Sequence, residues 1–273
     1  MVSRLTEKDW FKDREWLTAH GALRVPEVTI YFWIVKALST ALGEATSDYL
    51  VKGIKSISPE VAVVIGFVGF VVALWAQFRI QRYWAWTYWF AVCMVGVFGT
   101  MAADVLHVGF KVPYIVSSIL YAVVLAAVFM SWDRTEHTLS FHAIDTPRRE
   151  AFYWAAVVAT FAMGTAIGDL TATTLHLGYG WSAIMFAGLI CIPAIGYRVF
   201  NWNAIFAFWF AYVLTRPLGA SFADWIGKPK NLSGMGHGTG TVALILAGVI
   251  VCFVTYLAVT KADLQKPSHH EII

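Results

Sequence analysis

Residues 33–48 read WIVKALSTALGEATSD, and the spacing inside this stretch returns three more times. Residues 89–104 read WFAVCMVGVFGTMAAD, 154–169 read WAAVVATFAMGTAIGD, and 209–224 read WFAYVLTRPLGASFAD. In every copy a tryptophan (Trp33, Trp89, Trp154, Trp209) is followed ten residues later by a glycine (Gly43, Gly99, Gly164, Gly219). Five residues further stands an aspartate (Asp48, Asp104, Asp169, Asp224). Self-similarity of this kind marks an internal repeat.

Working outward, each motif lies in an apolar stretch, and a second apolar stretch follows it. A membrane helix needs roughly 20 such residues. Spans are read near 28–50, 60–79, 84–107, 113–131, 151–174, 181–199, 203–225 and 240–260. The expected fold is therefore an all-α polytopic membrane protein of about eight transmembrane helices in four pseudo-symmetric two-helix repeats. Repeat 1 covers 26–83, repeat 2 covers 84–150 with a loop at 132–149, repeat 3 covers 151–203 and repeat 4 covers 204–260. Short polar segments at 1–25 and 261–273 flank them. Two spans per repeat return the chain to one side, so the pseudo-symmetry axis runs along the membrane normal, as in parallel-repeat transporters.

Composition agrees with this reading. The chain is 59% hydrophobic and 14% charged, where a soluble domain carries about a quarter charged residues. A net charge of +3, with the cations in loops, does not imply nucleic acid. Cys93, Cys191 and Cys252 stand alone in apolar stretches, without disulfide or metal-ligand spacing. Residues 1–28 are polar and mixed in charge, so no cleavable signal is expected. Thirteen Lys and Arg residues fall in loops on one side (Arg4, Lys8, Lys12, Arg14, Arg24, Arg79, Arg82, Arg134, Arg148, Arg149, Arg198, Lys261, Lys266). Five fall on the other (Lys52, Lys55, Lys111, Lys228, Lys230). This bias puts the first side, and both termini, in the cytoplasm of a bacterial inner membrane.

The chemistry lies on one helical stripe. Residues four apart share a helix face, so Lys36, Thr40, Glu44 and Asp48 line up in the first motif span. The equivalents are Val92, Gly96, Thr100 and Asp104; Val157, Phe161, Thr165 and Asp169; and Tyr212, Arg216, Ala220 and Asp224. Charge in hydrocarbon costs about 2.5–3.5 kcal/mol on insertion scales and normally faces the bundle interior. Four inward stripes would gather the carboxylates Glu44, Asp48, Asp104, Asp169 and Asp224 as candidate metal ligands. Lys36, Thr40, Thr100, Thr165 and Arg216 would line the pathway, and His107, His176 and His237 would stand at its outer mouth. Carboxylates and hydroxyls are the ligands of hard divalent cations. The four tryptophans are read as interfacial anchors and packing groups, and the four glycines as packing points or hinges. The run GMGHGTGT at 234–241 is too glycine-rich for an ordinary helix start, and a re-entrant segment is one reading of it. His269 and His270 read as a tail.

The segments VPEVTIYFWIVKALSTALGEATSD, RREAFYWAAVVATFAMGTAIGDL and FWFAYVLTRPLGASFAD resemble a family of bacterial membrane-anchored proteins built from a fourfold repeat of unknown function. The likeness runs from about Val25 to Thr260 and implies the repeat architecture without naming a substrate. Gly96 and Val92 replace polar groups of the first repeat, so the repeats are expected to contribute unequally.

The leading expectation is a transporter or exporter of a divalent metal cation, with Mn2+ named first. The alternatives are a proton-coupled carrier of a small organic or anionic solute, and a non-transport sensor subunit. No enzymatic activity is expected, because nucleophile, nucleotide and His-rich zinc patterns are missing. No resident cofactor is expected, the cation being cargo. Partners are the lipid bilayer and a small inorganic cation or proton, and a homo-oligomer is left open.

Overall fold

The computed structural model describes residues 23–80 and 82–264. Arg4, Lys8, Lys12, Arg14, Lys266, His269 and His270 lie outside the described residues. The described chain is all helical, with eight long α-helices and no strand. They are α1 (Ile30–Asp48), α2 (Pro59–Arg79), α3 (Ala85–Asp104), α4 (Tyr114–Glu136), α5 (Pro147–Asp169), α6 (Gly178–Val199), α7 (Ala204–Gly227) and α8 (Thr239–Thr260). Local chemistry sets several starts. Thr29, Ser58, Thr146 and Asn203 cap α1, α2, α5 and α7 by accepting from first-turn amides, and Pro59 and Pro147 occupy first-turn positions whose amide would be orphaned.

Seven of the eight, all but α1, are long and apolar enough to cross a membrane. Helix α1 has the length, 19 residues, but carries Lys36, Glu44 and Asp48. It can do so because it is walled in by α3, α7 and α8. Helix α4 extends to Glu136, so the loop expected at 132–149 shrinks to 137–146.

The motif helices α1, α3, α5 and α7 form a closed inner ring in which each touches the next and α7 returns to α1. The plain helices α2, α4, α6 and α8 form the outer wall. Burial follows this division: 56%, 72% and 50% of the apolar windows of α3, α5 and α7 are buried, against 22–28% for the plain helices. The outward faces of the plain helices bear large apolar side chains such as Val64, Trp75, Ile119, Ile184 and Leu244. Outward apolar faces of this kind are what a multi-pass membrane protein presents to lipid.

Packing between repeats is cyclic. Each plain helix lies chiefly against the motif helix of the next repeat: α2 on α3, α4 on α5, α6 on α7, and α8 back on α1. The motif glycines are the seats of this ring. A Cβ on Gly43 would stand 2.7 Å from Gly96, one on Gly99 2.9 Å from Phe161, one on Gly164 2.3 Å from Arg216, and one on Gly219 1.9 Å from Thr40. Each glycine therefore admits the second stripe residue of the neighbouring repeat.

The tryptophans are core residues. Trp89, Trp154 and Trp209 are buried and Trp33 is partly buried, which corrects the expectation of interfacial anchors. Each packs on the aromatic residue that precedes the neighbouring tryptophan: Phe32 on Trp89 at 5.8 Å between ring centroids, Tyr88 on Trp154 at 5.7 Å, Tyr153 on Trp209 at 6.3 Å and Phe208 on Trp33 at 5.7 Å. Phe141, from the loop after α4, fills the middle of this pinwheel against Phe32, Tyr153 and Phe208 at 4.8–5.6 Å. Leu23, Arg24 and Glu27 bind across the same end, to Tyr83, Ile144 and Asp263. A buried Arg24–Glu150 pair at 2.6 Å, joined by Gln77, holds this strap down. The described chain thus begins and ends at the tryptophan end of the bundle.

Candidate functional site

Three of the four aspartates end an α-helix that passes directly into a π-helical turn: Asp48 before Tyr49–Gly53, Asp104 before Val105–Gly109, and Asp169 before Leu170–Thr174. Such wide turns recur at functional sites. The irregularity thus follows the aspartate, while the α-helices run unbroken through the motif glycines.

The stripes converge on the axis of the inner ring and stack there in layers. The outermost layer holds the aspartates. Asp48, Asp169 and Asp224 are buried, and the Asp104 side chain is 16% exposed. Two lysines close over them. Lys52 Nζ is 2.6 Å from Asp48 Oδ1 and 3.8 Å from Asp104 Oδ2. Lys228 Nζ is 2.7 Å from Asp224 Oδ2, 3.6 Å from Asp48 Oδ2, and donates to the Tyr179 hydroxyl at 3.0 Å. Tyr179 in turn donates to Asp169 Oδ1 at 3.3 Å. Burial works against the charge on both lysines, but the surrounding carboxylates win and hold both above the usual lysine pKa.

One turn deeper, Arg216 binds three repeats at once. Its Nη2 donates to Glu44 Oε2 at 2.9 Å, to Thr165 Oγ1 at 2.7 Å and to Thr100 Oγ1, while Nη1 donates to the Thr40 carbonyl at 3.0 Å. Thr100 donates to Glu44 Oε2 at 3.3 Å and Thr40 to the Thr215 carbonyl at 3.2 Å. Arg216 and Glu44 are 0% and 2% exposed. Deeper again, Lys36 Nζ sits 4.2 Å from the centroids of both Phe161 and Tyr212 and has no hydrogen-bond acceptor. Below it the hydroxyls of Tyr212, Tyr153 and Tyr88 form a chain, at 3.4 Å and 2.5 Å.

The tightest carboxylate group among the described residues is Glu44, Asp48 and Asp224, which offer oxygens all within 4.8 Å of one another. Ligands at about 2.0–2.6 Å on opposite sides of a hard cation stand about 4–5 Å apart, so these oxygens are spaced to share one ion. Asp224 Oδ1 is buried without a hydrogen-bond partner. Asp104 and Asp169 belong to the ring but stand outside this trio.

The histidines do not join. His107 stacks on Tyr114 and bonds the Val112 carbonyl at 2.7 Å through Nδ1, while His176 and His237 are exposed. All three lie at the aspartate end, His107 in the π-helical turn after Asp104 and His176 and His237 in loops. Residues 234–238 of the GMGHGTGT run fold back along the last turn of α7 as a loop with no re-entrant course, through bonds such as Met235 N to Trp225 O, while Thr239–Thr241 open α8, which corrects the expectation that the run is too glycine-rich to start a helix.

Lys52, Lys228 and Tyr179 escaped the reading of the sequence. The two lysines had a signal: each stands four residues after its aspartate, at the next position of the stripe, in repeats 1 and 4. Tyr179 had none, because it comes from a plain helix.

Comparison with curated proteins and with solved structures finds no significant match. A family model described as "Repeat of Unknown Function (DUF347)" matches residues 31–83, 87–138, 152–201 and 207–263. These four segments coincide with the four motif-and-plain helix pairs that build the ring, and the chain is a member of this fourfold-repeat family.

Proposed function

We propose that this chain is a membrane carrier of a divalent metal cation, with Mn2+ the first ion to test. The observation that carries the reading is the trio Glu44, Asp48 and Asp224, on the bundle axis, with oxygens within 4.8 Å and one of them unpartnered. The trio is not a bare acidic cluster. Lys52 and Lys228 occupy its outer side as tethered cations, the arrangement expected when an arriving ion must displace an internal counter-charge.

Orientation follows from charge. With Lys52 and Lys228 drawn into the site, the loops at the aspartate end keep Lys55, Lys111 and Lys230, against a much larger set at the tryptophan end. The positive-inside bias then puts the tryptophan end in the bacterial cytoplasm and the carboxylates in the outer half of the inner membrane.

The rival reading, a proton-coupled carrier of an anionic solute, draws on the buried cations Lys36 and Arg216. It is less favoured because both terminal nitrogens of Arg216 already bind protein acceptors. Liposome flux separates the two. Mn2+ uptake by the purified chain is expected, falling at least tenfold in Glu44→Gln and in Asp224→Asn. Flux unaffected by both substitutions would sink the metal reading, and metal-independent flux lost in Arg216→Ala would favour the rival.

A further inference from the structure

We propose that the cap over the tryptophan end, strap 23–27 together with loop 137–146, is the inner gate of the carrier, and that the Arg24–Glu150 pair is its latch. This rests on the cation reading and adds the element that must move for the ion to leave the ring.

The two ends of the axis differ in access. At the aspartate end the Asp104 side chain is 16% exposed, and the Lys52 side chain that closes over it is 55% exposed. An ion reaches the carboxylates there past one solvated lysine tail. At the tryptophan end Phe141, Tyr88 and Tyr153 are 3%, 0% and 0% exposed and shut the middle of the bundle. An ion held by Glu44, Asp48 and Asp224 can leave that way only if this end opens. Alternating access around a fixed site is the way repeat-built transporters do this.

The ring is badly suited to opening. Its glycine seats bring neighbouring repeats into close contact, and Arg216 binds three repeats at once. The cap stands outside the fourfold plan. The family model begins at residue 31, after the strap, and leaves 139–151 unmatched between its second and third segments, against 84–86 and 202–206 at the other junctions. Phe141 belongs to that insertion. Strap and loop are joined to each other: Arg24 N donates to the Ile144 carbonyl at 3.0 Å, and His142 Nε2 stands 3.3 Å from Glu27 Oε1. They can therefore lift as one piece and leave the ring intact.

Arg24 is where this piece is fastened. Its Nη1 reaches Glu150 Oε2 on α5 at 2.6 Å, and its carbonyl accepts from Gln77 Nε2 on α2 at 3.4 Å. The two charged side chains are 6% and 0% exposed. Such a pair adds little net stability, because its attraction is largely offset by the hydration both ions lose on burial. Arg24 Nε and Gln77 Oε1 are also buried without hydrogen-bond partners, a cost that water entering on opening removes. Further ties are backbone bonds, Tyr83 N to Leu23 O at 2.9 Å and Glu27 N to Asp263 O at 2.8 Å, which water replaces. Lifting the strap returns both charges and both orphaned atoms to water, and this keeps the open form within reach. A latch without charge lacks that return and holds the cap shut.

Two variants of the full chain, with opposite expected effects, test this. Arg24→Met/Glu150→Gln removes both charges, while the new amide still accepts from Gln77 and Trp154 as the carboxylate does. Glu150→Gln alone leaves Arg24 buried and unpaired. Backbone hydrogen exchange in nanodiscs, read by mass spectrometry over 139–145, is expected to slow at least tenfold in the double variant and to quicken at least tenfold in the single one. Exchange over 33–48 should stay as in the wild type in both. In liposomes, Mn2+ flux should fall at least tenfold in the double variant, with Mn2+ binding kept, and rise in the single one. Wild-type exchange over 139–145 in both variants overturns the latch. Exchange that quickens equally over 33–48 in the single variant marks a merely structural ion pair and also overturns it. Slowed exchange with wild-type flux in the double variant overturns the gate. If the wild type moves no Mn2+, the transport reading fails, and the exchange comparison still decides whether Arg24 and Glu150 latch a cap that opens.

Discussion

The smallest residue of the motif sets the tightest constraint on it. Gly219 must stay a glycine because Thr40 fills the place of its side chain, and Gly164 because Arg216 does. Overpacking of a filled core costs typically about 1–3 kcal/mol, and more where the obstacle is backbone. Gly219→Val is expected to lower the thermal unfolding midpoint in detergent by many degrees or to abolish folded expression. Gly248→Ala, on the outer helix α8 where a Cβ meets nothing within 4 Å, should leave the midpoint unchanged. Arg216 and Glu44 make the matching electrostatic case. Removing one partner of a fully buried pair costs about 3–5 kcal/mol, because the survivor is left charged and unpaired. Glu44→Gln and Arg216→Met should each destabilise by that amount, and the double variant by clearly less than the sum, as a double-mutant cycle in denaturant would reveal. At this scale the sequence was legible wherever the fourfold spacing repeated. Lys52 and Lys228 read as loop cations because a charged side chain just past a span is ordinarily solvated, and only the geometry of the ring turns them inward.

At the scale of elements, the two ends of the inner ring are closed by different physics. The aspartate end is closed by charge. Lys52 and Lys228 have folded pKa values raised above the ordinary 10.5, so their stabilising contribution is complete below that value and is lost only as pH climbs through the folded one. Stability should therefore show no lysine-dependent change across neutral pH and fall above pH 10.5. Lys228→Met should remove much of that alkaline loss and, on the transport reading, tighten Mn2+ binding. The tryptophan end is closed by aromatic packing, with Phe141 at its centre. A Phe→Ala change in a packed core costs about 3–5 kcal/mol, and Phe141→Ala is expected to lose stability of that order in thermal unfolding while raising ion leak through liposomes. A polar loop of this length gave no reason to expect a plug. Phe141 is an isolated aromatic between Ser140 and His142, and its seat is formed by residues from three repeats.

Over the whole molecule, the number of helices and their order were readable because hydrocarbon demands roughly 20 apolar residues per span. The one departure has a cause: α1 lacks the apolar content of its siblings because α8 and the ring shield it. The direction of packing was not readable. Nothing in the spacing says that a plain helix leans on the motif helix of the next repeat, yet that offset lets the fourth repeat close on the first. It also follows that neither chain half can bury its stripe alone, so separately expressed halves (26–150 and 151–260) should fold only when co-expressed, as co-purification would test.

The central claim is that the four stripes converge on the ring axis and that the carboxylates of repeats 1 and 4 hold a cation there. The direct measurement is an anomalous difference map, at the manganese edge, of the protein crystallised with Mn2+. The account predicts a single peak between the carboxylates of Glu44, Asp48 and Asp224, lost in Asp224→Asn. A bundle with no peak on its axis, or with manganese bound only at surface carboxylates such as Glu27 or Glu60, would contradict it.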